Sequence, residues 1–106
     1  MSVIDLTKPQ RWQSKKYRDA ARGESCKLRL PGCRNETETV VLCHRNGAGM
    51  GRKNSDFDAV DGCAHCHALL DRQKFDYNVS REMIEEAFER GRVETMINRI
   101  VRGVLK

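Results

Sequence analysis

The sequence predicts a small α+β domain, and three features carry that reading. The stretch from Cys26 to His44 has the alternation and β-branched content of a short hairpin. Apolar residues recur at helical spacing from Met83 to Val104. Four cysteines fall into two pairs that are distant in the chain, Cys26 with Cys33 and Cys63 with Cys66, and could staple these parts together.

A staple is needed because the core is thin. Of 106 residues only 39% are hydrophobic and 33% are charged, and a chain of this length forms one small domain that buries a low fraction of its surface. Residues 1 to 22 read as a basic N-terminal arm ending in a short helix, residues 23 to 75 as the core, and residues 76 to 106 as amphipathic helices packing on it. The first eleven residues have no period and contain Pro9, as expected of an extended arm. Ser14 is placed to cap a helix that Gly23 would stop. Cys26, Leu28 and Leu30 alternate with Lys27 and Arg29, the period of a half-buried strand. Pro31-Gly32 turns the chain, and Thr37 to His44 reads as the returning strand.

From Arg45 to Gly62 glycines crowd and no period holds, so a loop is predicted, and loops of that length are usually functional. Cys63 to Gln73 reads as a helix with Leu69 and Leu70 facing the core, and Asp76 to Ser80 as a turn whose Ser80 caps the next helix. Met83, Ile84, Ala87 and Phe88, then Val93, Met96, Ile97, Ile100, Val101 and Val104, form a stripe that Gly91 is expected to divide into two helices.

The chain carries 20 Lys plus Arg against 15 Asp plus Glu, a net charge of +5, which suits a polyanionic partner. Lys8, Arg11, Lys15, Lys16 and Arg18 crowd the N-terminal segment, and Arg45, Arg52 and Lys53 the central loop, as candidate phosphate contacts. Trp12 and Tyr17 lie among them and could stack on bases or simply pack on the domain. Neither an apolar leader nor a run approaching the roughly 20 apolar residues of a membrane span is seen. A cytoplasmic protein is therefore expected, in a reducing compartment where cysteines bind metal more often than they form disulfides.

Zinc accepts four thiolates in a tetrahedron, and a CxxC at the opening of a helix supplies two of them from one tight turn. Cys26, Cys33, Cys63 and Cys66 are thus predicted to hold a structural Zn2+. A redox CxxC would need a βαβ pattern around Cys63, and none is present. Cys43 is left over, either as a small buried hydrophobe or as a ligand. His44 ends the second strand, while His67 and Asp71 stand four residues apart on one helical face and could share a divalent cation. An imidazole facing such a cation could take a proton from water for attack on a phosphodiester. His65 lies on another side of the helix and is the least suited of the three to act directly.

Taken together, Cys26-Lys27-Leu28-Arg29-Leu30-Pro31-Gly32-Cys33, the strand Val41-Leu42-Cys43-His44, the glycine-rich loop and Cys63-Ala64-His65-Cys66-His67-Ala68-Leu69-Leu70-Asp71 resemble the HNH (ββα-metal) nuclease superfamily. The resemblance extends to the small prophage-encoded HNH-like nucleases with a four-cysteine zinc site, and covers roughly residues 20 to 75. It implies a ββα-metal core, His44 as general base, and His67 and Asp71 as ligands of a catalytic cation, Mg2+ or another divalent ion. Many members place an acidic residue or His directly before the base, where this chain has Cys43. Many also orient the base with a polar loop residue; Asn54, the residue assigned, and Asp56 are the nearest candidates.

The function expected on these grounds is a metal-dependent endonuclease of low sequence specificity acting on nucleic acid, with DNA as the favoured substrate. One alternative is a zinc-stabilised nucleic-acid-binding module without catalysis. Another is a protein-interaction module docking through the C-terminal helices.

Overall fold

A computed structural model describes residues 14–44 and 55–104, in which three α-helices and one two-stranded sheet form. Ser14 caps the first helix, α1 (Lys15–Asp19), by accepting the Tyr17 N–H on its hydroxyl at 3.1 Å. The chain then turns through Gly23 at φ +78°, a conformation open to glycine without strain.

The predicted first strand does not form. Residues 24 to 36 are irregular, with Arg29 and Asn35 in the left-handed region at φ 46° and 52°. Leu28 and Leu30 are buried as the alternation implied, but Lys27 is buried too, at 6% exposure. Its ammonium lies 3.1 Å from Asp61 and its backbone N–H donates to the Asp61 carbonyl at 2.8 Å. A polar residue sunk by an ion pair looks, in sequence, like a solvent-facing one. The returning strand is also shorter than expected, because Thr37–Thr39 winds into a 3₁₀ turn and only β1 (Val41–His44) is extended.

The partner of β1 comes from the segment read as loop. Strand β2 (Ala59–Gly62) pairs antiparallel with it, Val41 opposite Gly62 and His44 opposite Ala59. All four residues of β2 are buried, so they show no alternation for a pattern reading to find. Directly after it, α2 (Ala64–Leu70) begins at Cys63, and the Thr39 hydroxyl accepts its first N–H, from Ala64, at 3.0 Å. Leu28, Val40, Val60, Leu69 and Phe88 meet in the core between these elements.

Helix α3 (Arg81–Val101) is continuous through Gly91, not divided by it, and Ser80 caps it by accepting the Met83 N–H at 3.1 Å. Gly91 is where the helix crosses β2 most closely: a Cβ there would lie 2.5 Å from a Val60 methyl and 2.8 Å from the Lys27 carbonyl oxygen. The expected stripe packs inward only through Ile84, Ala87 and Phe88. Beyond Gly91 the buried positions are Thr95 and Arg99, while Val93, Ile97, Ile100 and Val101 are exposed.

The helix turns a polar face inward because Arg99 and Asp61, both fully buried, form a two-pronged ion pair at 2.5 and 2.8 Å. Arg99 also donates through Nε to the Tyr17 carbonyl at 3.1 Å, and Thr95 accepts the Asp61 N–H at 3.1 Å. Gly91→Ala is therefore expected to destabilise the fold by about 1–3 kcal/mol through overpacking, although alanine is the better helix former. A lower urea midpoint with unchanged helical content would show this; an unchanged or higher midpoint would refute the close crossing.

Candidate metal centre and active site

The chain between Leu30 and Asn35 is shaped as a thiol-presenting turn. Cys33 N–H donates to the Leu30 carbonyl at 2.9 Å, Gly32 occupies φ +87°, and the Asn35 side chain accepts the Cys26 N–H at 2.6 Å. This turn faces the start of α2, where Cys63 and Cys66 lie one helical turn apart. The result is that Cys26, Cys33, Cys63 and Cys66 place their sulfurs within 4.8 Å of one another.

A tetrahedral zinc with Zn–S bonds of ~2.3 Å sets its sulfurs about 3.8 Å apart, and the Cys33 and Cys63 sulfurs are separated by 3.7 Å. The donor set also fits the ion chemically. Hydrogen bonding from Cys66 holds Cys26 down to about 4, whereas that same bond pushes Cys66 well above the ordinary thiol range and burial pushes Cys33 up to about 11. Sulfurs this crowded cannot all ionise unless a cation compensates them. These four residues suit a structural metal such as zinc, as the cysteine spacing predicted.

Cys43 stands apart from the four. It is buried in the core, its thiol pointing at the Val41 and Gly62 carbonyls, and burial, followed by the Asp71 carboxylate, keeps it protonated. Of the two readings for Cys43, the small buried hydrophobe is the one its environment matches.

The histidines occupy three different settings. At the end of β1, half-buried His44 sets Nε2 2.8 Å from an Asp56 oxygen. The other Asp56 oxygen accepts the Ser14 N–H at 2.7 Å and an Arg18 guanidinium N–H at 2.8 Å. Burial alone would raise the Asp56 pKa, but the hydrogen bonds from Ser14, His44 and Arg18 outweigh it and hold the carboxyl below the usual range. On α2, His67 Nε2 and Asp71 lie 2.9 Å apart, sharing a helical face as their spacing implied. His65 is structural: its Nε2 meets the Pro31 carbonyl at 2.9 Å and its Nδ1 the Lys74 ammonium at 2.9 Å, so it braces α2 against the cysteine turn.

Among the described residues no ligand cluster of three or more forms besides the cysteines, so His44 is joined to Asp56 and His67 to Asp71 as two separate pairs. Asp56 is the loop residue that meets His44; Asn54 falls outside the described residues, as do Lys8, Arg11, Arg45, Arg52, Lys53 and Trp12. Of the other basic candidates, Lys15 pairs with Asp19 at 2.7 Å and Lys16 is exposed, while Arg18 is engaged by Asp56. Sequence reasoning gave no role to the Arg18–Asp56 link or to the Arg99–Asp61 pair. Neither leaves a local signal, since the partners stand 38 residues apart in each case. No helix among the described residues is long and apolar enough to cross a membrane.

A two-stranded sheet feeding a helix, with four thiols gathered at that helix's start where they could hold a metal, defines a small α+β protein with a candidate metal centre. Residues 15–102 match a family described as "Putative nuclease YbcO", and the chain belongs to that family. It is 34% identical over 93 residues to the protein of that description in Escherichia coli K12, covering 84% of this chain and 95% of the relative. A relative of the same description in Enterobacteria phage 82 gives the same figures. Among solved structures, one titled "Structure of a putative bacteriophage protein", from E. coli K-12, superposes with a TM-score of 0.70 at 34% identity, over 83% of this chain and all of the other.

Binding at a four-thiolate site contributes on the order of 10 kcal/mol to folding. Cys63→Ser is thus expected to lose its bound metal, measured by elemental analysis of the purified protein, and to lose helical circular dichroism with it. A folded, metal-free variant would show that the thiols are not the staple.

Proposed function

We propose that this protein is a metal-dependent endonuclease of the HNH type, hydrolysing phosphodiester bonds with His44 as general base. The observation that carries the reading is the chain Arg18–Asp56–His44. An ionised carboxylate, pinned by Ser14 and Arg18, takes the Nε2–H of the imidazole and leaves the Nδ1 lone pair as the proton acceptor. A base needs this tautomer fixed, and it needs access to water; the His44 side chain is 35% exposed.

His44 would draw a proton from a water through Nδ1, and the resulting hydroxide attacks phosphorus. Asp56 steadies the imidazolium that forms. His67 and Asp71 would hold the divalent cation, magnesium or another hard ion, which when bound offsets charge on the phosphate and the leaving oxygen. The family's description as a nuclease supports the same class of chemistry. DNA is the favoured substrate and low sequence specificity follows, since phosphate contacts position without reading bases. A zinc-stabilised nucleic-acid-binding module without catalysis is the second reading, favoured by Cys43: a neutral, buried thiol supplies no charge at the residue before the base.

With magnesium or manganese added, the purified protein is expected to nick supercoiled plasmid, and His44→Ala to stop this while retaining its metal and its melting profile. Equal nicking by both proteins would end the base assignment; nicking by neither, with DNA still bound, would favour the binding module.

Asp56→Asn tests the relay separately. An amide can present its N–H to Nε2 and turn the imidazole to the wrong tautomer, so the rate is expected to fall about 10²–10⁴-fold at unchanged substrate affinity. A rate within a few-fold of wild type, in a folded variant, would remove Asp56 from the mechanism.

A further inference from the structure

Beyond the end of α2, two large rings stand in solvent. Phe75 is 79% exposed and Tyr77 94% exposed, and they meet edge to face with centroids 5.1 Å apart and planes at 80°. Rings this exposed gain nothing from the core, and a T-shaped pair leaves a ring face open. Phe75 also walls a groove of about 280 Å³ whose floor is Leu69, Val79 and Ile84, a volume at the small end of ligand sites. Three cations line the same groove, Arg72, Lys74 and Arg81, beside the carboxylate of Asp76; Lys74 also meets His65 Nδ1 at 2.9 Å and Arg81 lies 3.6 Å from Glu85.

An apolar floor, an aromatic wall and a cationic rim ask for a flat π-system joined to an anion. That is the chemistry of a nucleotide whose base is unpaired. A base within a duplex has both faces covered by its neighbours, whereas one in a single strand or at a flipped position can stack on a ring. The groove also adjoins the proposed reactive pair in the chain, because its lining residues Leu69, on α2, and Arg72, just past the helix in the left-handed region at φ 61°, alternate in sequence with His67 and the C-cap Asp71.

We propose that Phe75 and Tyr77, with Arg72, Lys74 and Arg81, form a stacking platform for an unpaired nucleobase and its phosphate, so that the protein prefers single-stranded or locally opened nucleic acid. This rests on the nucleic-acid reading of the preceding subsection and adds to it the state of the substrate.

The test is fluorescence anisotropy with a short labelled thymidine oligomer and with a duplex of mixed sequence, without added magnesium, so that affinity is read apart from cleavage. Phe75→Ala and Tyr77→Ala are each expected to weaken the oligomer by about 5- to 150-fold, the range for one lost base stack, with duplex affinity held. Tyr77→Phe, which retains the ring, is expected to bind the oligomer as wild type does. Both positions are exposed, so the variants keep the fold.

Unchanged oligomer affinity in the alanine variants overturns the platform, as does an equal loss on duplex. A wild type that sediments as a dimer and becomes monomeric in the double alanine variant also overturns it, by assigning the rings to a protein interface. Plasmid nicking by wild type and double variant alike, alongside unchanged oligomer affinity, removes the platform but leaves the nuclease reading in place. Ring-dependent oligomer binding by a protein that does not nick has the opposite meaning.

Discussion

The gathering of four sulfurs from two distant segments is the constraint on which the rest of this small structure depends. Cys26 and Cys33 come from a stretch with no regular secondary structure, and Cys63 and Cys66 from the first turn of α2. A tie between them adds to the Lys27–Asp61 and Arg29–Glu94 bridges and to the Arg90 bonds to the Lys27 and Leu28 carbonyls, which together offset the cost of the left-handed Arg29 and Asn35. With the sulfurs gathered, the same stretch becomes a rigid wall. It buries Leu28 and Leu30 and presents the Pro31 carbonyl to His65. A metal held by this cluster would do for this half of the chain what a larger hydrophobic core does elsewhere.

The other half is organised around a buried charge. Asp61, on β2, is engaged by Arg99 from α3 and by Lys27 from the irregular stretch, and Arg99 reaches on to the Tyr17 carbonyl of α1. The Arg99 guanidinium also lies over the Tyr17 ring, 5.1 Å from its centre. Four segments therefore share one desolvated ionic cluster. Such a cluster contributes little net stability, because desolvation cancels much of the attraction, but removing one member leaves a buried charge without compensation. Its effect is to specify: α3 can settle on β2 in the one register that places Gly91 against Val60 and Arg99 against Asp61. The apolar residues of the last turns are turned outward as a consequence, Ile97 and Ile100 being more than half exposed.

These two organising features differ in how far they can be read from sequence. The cysteines were legible because thiolate chemistry leaves a spacing, and CxxC at a helix start has few other uses. His67 with Asp71 was legible for a related reason, the four-residue repeat of a helix face. The ionic cluster was not, because Arg99 in a helix of alternating charge looks like any solvated arginine until its partner 38 residues away is known. The same blindness misplaced a strand: Lys27 and Arg29 suggested an exposed edge, while β2, buried along its whole length, carried no period at all. Asp56 lay between these cases. It was one of two candidates near the base, and its selection depends on α1, whose Ser14 and Arg18 hold it from a direction the loop sequence does not reveal.

The placement of charge along α2 bears on how a polyanion would approach. Four thiolates around a divalent ion carry a formal charge of about −2, at the N-terminal end of the helix where Cys63 and Cys66 reside. Of the exposed guanidiniums near the cysteines in the chain, Arg29 is already committed to Glu94 in a two-pronged bridge at 2.8 and 2.9 Å, which leaves Arg34, next to Cys33, to offset the negative charge. That end of the helix should repel phosphate. At the opposite end the last carbonyls of α2 favour a cation, the proposed cation ligands His67 and Asp71 run from mid-helix to the C-cap, and Arg72 and Lys74 follow in the chain. The structural centre and the proposed reactive centre are close, because His67 directly follows Cys66 and Asp71 lies one helical turn further on, within the roughly 8 Å Debye length of physiological salt, so the charge of the thiolates is felt at the proposed reactive centre.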